Sequence, residues 1–166
     1  MASPGLAHIL VVAHGTTVTP ALLAAVRDRA ERGPARFELL FANPEVADWR
    51  VGNAERRRQE HAAEAEHVLV RGVRSLKDAA GPWVHGTVSR RNDPMDAIEE
   101  TLNGRDFDEI VLETVPRTVA RRLHVDLPRR VAHLGLPVTT VITPERGGHG
   151  RRVRFGAPVT PSGAAF

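Results

Sequence analysis

Between Phe107 and Ile142 the chain reads FDEIVLETVPRTVARRLHVDLPRRVAHLGLPVTTVI. FDEIVLETV and LPVTTVI are short, β-branched, apolar runs of strand length. DLPRRVAHLG between them has helical spacing, with Asp126 as an N-cap and Gly135 as a stop. Two strands joined through a helix must run parallel, with a right-handed crossover. The linking loop, ETVPRTVARRLHV, is dense in arginine and contains no glycine.

The same alternation extends upstream. HILVVA, His8 to Ala13, is continuously apolar, as a strand covered on both faces must be. Thr19 and Pro20 supply the cap and first position of a helix over ALLAAVRDRAER, which ends at Gly33-Pro34. FELLFAN, Phe37 to Asn43, is a second strand, followed by a polar connection that contains Trp49. A long helix is expected from Gln59 to Ala80, and WVHGTV after Gly81-Pro82 is a third strand in which Trp83 packs. Asp93 and Pro94 then open a helix over PMDAIEETLNG. The order β-α-β-α-β-α-β-α-β specifies an α/β fold with a single doubly wound five-stranded parallel sheet and helices on both faces.

Length and composition exclude several classes of function. The 166 residues suffice for one domain, expected over residues 1–143. Residues 144–166 form a Gly/Pro/Arg-rich tail without helical period, expected to be flexible or draped on the surface. No apolar run reaches membrane-spanning length, and the N-terminus lacks a signal-peptide pattern, so a cytoplasmic protein is expected. With no cysteine there is neither a disulfide nor a thiolate metal site. The net charge of +3 is concentrated in the tail, where Arg146, Arg151, Arg152 and Arg154 face Glu145 alone. The body is therefore near neutral, which argues against general nucleic-acid binding.

The order and spacing of DPMDAIEETLNGRDFDEIVL, the loop, the short helix and GLPVTTVI resemble the universal stress protein family from about His8 to Ile142. The resemblance implies the strand order 3-2-1-4-5, a homodimer paired through the last strands, and a role in small-ligand binding or regulation. ATP-binding members carry a Gly, two residues, Gly, nine residues, Gly and Ser or Thr after the fourth strand. Those positions fall here on Glu113, Pro116, Asp126 and Leu127, so every glycine is replaced. Glycines permit close backbone approach to phosphates, whereas Pro116 removes a donor and Glu113 and Asp126 add like charge. His14 stands where the family often has Asp. Binding of ATP in the family's usual manner is therefore not expected, and no cofactor is assigned.

Ligands of doubly wound sheets bind beyond the carboxyl ends of the strands. The candidate cleft thus comprises His14, Gly15, Thr16 and Thr17 after the first strand, and Thr114, Arg117, Arg121 and Arg122 after the fourth. Guanidinium groups in place of backbone amides would suit a small anionic ligand; a solvated arginine face paired to Glu113 or Asp126 is the structural alternative. ILVVAHGTT also resembles the first strand and loop of small cobalt and sirohydrochlorin chelatases. That similarity implies a metal-handling enzyme using His14, joined by His85 if it stands at the end of the third strand, with His124 as a further candidate. No nucleophile, acid–base pair or Ser-His-Asp arrangement is identifiable.

Overall fold

The computed structural model describes residues 5–15, 17–42, 54–89, 91, 93–114 and 127–143, with 54–63 described by backbone alone. The expected Arg117, Arg121, Arg122 and Thr16 positions, the His124 candidate, the Asp126 cap, the Trp49 connection and the tail lie outside the described residues. The elements are β1 (Ala7–Ala13), α1 (Pro20–Glu31), β2 (Ala35–Phe41), α2 (Ala54–Ala80), β3 (Val84–Val88), α3 (Pro94–Gly104), β4 (Glu109–Thr114), α4 (Leu127–Ala132) and β5 (Val138–Ile142). They form one five-stranded sheet in the order β3-β2-β1-β4-β5. All neighbouring strands are parallel, with Leu10 of β1 in register with Glu38 of β2 and Ile110 of β4.

The central strand is buried on both faces because each face has its own pair of helices. Ile9, Val11 and Ala13 pack with Leu22 and Val26 of α1 and with Val68 and Leu76 of α2. Leu10 and Val12 alternate to the other side, onto Met95 and Ile98 of α3 and Val131 of α4. Such a strand cannot alternate polar and apolar residues, which is why HILVVA is a continuous apolar run.

Capping follows the sequence closely. Thr19, extended at φ −81° and ψ 157°, accepts the Leu22 N–H and is followed by Pro20 at the first helical position. Asp93 accepts the Met95 N–H at 2.7 Å ahead of Pro94. Helix α2 starts at Ala54 and not at Gln59, since the charged segment AERRR is made of good helix formers and continues the helix. Its position is fixed by Gly72, where a Cβ would lie 2.8 Å from the Phe41 ring.

Trp83 departs from the expected packing. It precedes β3 and is 62% exposed. Val84 faces α2 and is buried, whereas Trp83, His85 and Thr87 alternate to the other face, and all three are exposed. Among the described residues, no helix of the α3 and α4 layer has its core contacts over that edge strand.

Candidate functional site

The chain moves from β1 outward through β2 to β3, then returns to β4 on the other side of β1. The reversal lies between β1 and β4, and the crevice opens past His14 and Thr114, at the carboxyl ends of those strands.

Glu113 occupies the base of this crevice. It is the penultimate residue of β4, 2% exposed, and lies in register with Val141 of β5. Alternation turns it to the same face as Val111 and therefore toward α1. Its Oε2 accepts the backbone N–H of His14 at 3.1 Å. Its Oε1 accepts the hydroxyl of Thr143 at 2.6 Å and that of Thr19. Thr19 is also the N-cap of α1, its oxygen accepting the Leu22 N–H at 3.2 Å. The Thr143 backbone N–H donates in turn to the Thr114 carbonyl at 3.0 Å. One carboxylate thus ties the end of β1, the head of α1 and the end of β5 to the end of β4.

The arrangement has a clear electrostatic sense. The head of α1 carries the positive end of its helix dipole, where an anion is stabilised. Here the anion is a side chain of the protein. The His14 N–H and the Thr19 and Thr143 hydroxyls, the donors that meet at that point, are engaged by this carboxylate.

The remaining candidates divide by position. His14 and Thr17 are exposed, and Gly15 adopts φ +79°, turning the chain sharply out of β1 at the mouth of the crevice. Thr114 ends β4 half-buried, but alternation directs its side chain to the face opposite Glu113. Arg130 is on α4, 3.7 Å from the Asp93 carboxylate at the head of α3. Both partners are about half exposed, so this pair contributes little.

His85 is not at the end of the third strand. It is the second residue of β3, in register with Glu38 and hence with Leu10. His14 lies four positions beyond Leu10, about 13 Å along the strand direction, and two strands away. The structure does not bring His14 and His85 together. Among the described residues, no group of three or more His, Asp or Glu side chains is placed to hold a metal ion. Even within WVHGTV His85 is only the third residue, and the strand runs on to Val88, so its carboxyl end lies three residues beyond His85.

The part that sequence reasoning missed is the network around Glu113. Glu113 stood out in the sequence only as a replaced glycine, and its partners Thr19 and Thr143 are 94 and 30 residues distant.

No protein-family model matches the sequence, and no curated protein matches it. Among solved structures, a universal stress protein from Archaeoglobus fulgidus aligns with a TM-score of 0.53 over 81% of this chain and 92% of that one. The fold is universal-stress-protein-like. At 16% identity the likeness concerns the fold alone. The 3-2-1-4-5 sheet places Glu113 and the Thr19 cap at the reversal point of that fold. No described helix is long and apolar enough to cross a membrane.

Proposed function

We propose that this chain is a small-ligand-binding or regulatory protein that does not take ATP in the manner usual for universal stress proteins. The observation that supports this most directly is the buried Glu113 carboxylate facing the head of α1. Phosphate binding at such a position uses unengaged backbone N–H groups and the helix dipole. Here the His14 N–H and the Thr19 hydroxyl already donate to Glu113, and a triphosphate would bring like charge against it. The ligand class that the sequence favours is a small anion held by Arg117, Arg121 and Arg122, with His14, Gly15 and Thr17 at the mouth. In this proposal the protein is a cytoplasmic homodimer that acts through a ligand or partner and not through catalysis.

Native mass spectrometry of the purified chain, with ATP, AMP and Zn²⁺ added in turn, tests the proposal. The expected species is a dimer that acquires no stoichiometric ATP. A saturable ATP adduct on the unmodified chain would overturn it. A zinc adduct lost in His14→Ala would put a metal-handling role in its place.

A further inference from the structure

A second polar cluster lies at the opposite end of the sheet, where the strands begin. His8, 7% exposed, is the second residue of β1, and its ring stacks on Phe107 with centroids 4.0 Å apart. Its backbone N–H donates to the Asp108 carboxylate at 2.7 Å, and its carbonyl accepts the Asp108 N–H at 2.8 Å. Its Nδ1 lies 2.7 Å from the Asp106 carbonyl. A carbonyl only accepts, so the proton is assigned to Nδ1 and the lone pair to Nε2. Arg36 Nη2, 3.2 Å from that protonated Nδ1, is then a neighbouring charge and not a hydrogen-bond donor to it.

The Nε2 lone pair faces Glu38 Oε2 at 4.0 Å. Glu38 is 3% exposed, and the same Oε2 accepts from Arg105 Nη1 while Oε1 accepts the Thr87 hydroxyl at 3.3 Å. Arg105 directly follows α3, and its backbone N–H donates to Leu102 across the last turn. One carboxylate oxygen therefore has two cation-forming neighbours, one on β1 and one at the end of α3.

We infer that His8, Glu38 and Arg105 form a proton-operated latch: a proton taken up and kept on His8 Nε2 makes an imidazolium whose N–H hydrogen-bonds Glu38 Oε2, and Arg105 is displaced, releasing the end of α3. The exchange favours His8 once it is charged because the two cations differ in access to water. A buried imidazolium needs its carboxylate partner, whereas the Arg105 side chain is 56% exposed and can hydrate. Burial holds the His8 pKa below the ordinary histidine value, and the charges of Arg36 and Arg105 act in the same direction. The Asp106 carbonyl and Glu38 oppose them. Asp108 is committed to the His8 backbone N–H, and Asp106 meets the ring through its carbonyl. The latch holds the α3–β4 connection, so release acts on a helix whose other end, Asp93 and Pro94, lies beside the carboxyl ends of the strands.

An NMR titration of the whole chain from neutral to mildly acidic pH tests this, following the His8 ring, the Arg105 side-chain N–H and amide protection at Leu102 to Arg105. The expected result is one shared midpoint below the ordinary histidine value of about 6.5, with protection lost at the α3 end after correction for intrinsic exchange. In His8→Gln the Arg105 transition should vanish. Arg105 remaining unchanged while His8 titrates, or titrating without His8, would overturn the latch. Should His8→Gln not fold, Arg105→Gln decides: the His8 midpoint is expected to rise because its competitor is gone, and an unmoved or lowered midpoint overturns the inference.

Discussion

The Thr19 hydroxyl donates its proton to Glu113 and, through the same oxygen, accepts the Leu22 N–H at 3.2 Å, so the cap of α1 is also the clamp on β4. Removing the carboxylate strands several donors at once. Glu113→Ala leaves the His14 N–H without its acceptor, and the Thr19 and Thr143 hydroxyls, 3.2 Å apart, with only each other. The expected loss is about 2–3 kcal/mol in urea unfolding, with a smaller loss for Glu113→Gln, which keeps one acceptor oxygen. Midpoints unchanged in both variants would show that the network does not support the fold.

Thr19 itself separates its two roles. Thr19→Ala removes the cap, worth about 1 kcal/mol, together with the bond to Glu113. Thr19→Ser keeps the hydroxyl and should retain most of the stability. Thermal melts of the two variants provide the comparison, and equal losses would mean that the threonine methyl, not its oxygen, matters.

Much of the fold could be read from local signals because each signal has a local cause. Thr19-Pro20 and Asp93-Pro94 mark helix starts through atoms within a few residues of one another. Ile9 to Ala13 read as a central strand because neither of its faces meets water. Trp83 was misjudged because its exposure depends on which face of an edge strand lacks a helix, a fact of tertiary layering. The candidate site was less legible for the same reason. The sequence places Glu113 at the end of EIVLET, but does not show that it is buried or that Thr19, Thr143 and the His14 backbone converge on it. His8 likewise looks like the polar start of an apolar run, and only the β2 register reveals Glu38 nearby.

Gly72 and Gly104 should respond oppositely to alanine. A Cβ at Gly72 would lie 2.8 Å from the Phe41 ring and 2.9 Å from a Leu39 methyl, both buried, so α2 would have to shift. Gly72→Ala is expected to destabilise by about 1–3 kcal/mol despite its better helix propensity. Nothing lies within 4 Å of a Cβ at Gly104, the last residue of α3. Gly104→Ala should be neutral or stabilising by up to about 1 kcal/mol. Denaturant midpoints measured side by side give the contrast, and a stabilised Gly72→Ala would contradict the close packing of α2 on β2.

The pH dependence of stability follows from His8 with a definite sign. Its pKa is lowered in the folded state, chiefly by burial, so the unfolded chain binds the proton more readily. Stability from this residue is complete above the unfolded value of about 6.5 and declines as pH falls from there through the folded value. Below the folded value both states are protonated, and His8 adds no further slope. In His8→Gln the segment of the stability–pH curve just below pH ~6.5 should therefore be flatter than in the parent chain. Urea midpoints at closely spaced pH values measure this directly. An equal slope in the two proteins would assign the acid sensitivity to other groups, whereas a steeper slope in the variant would mean that the fold favours His8 in its charged form.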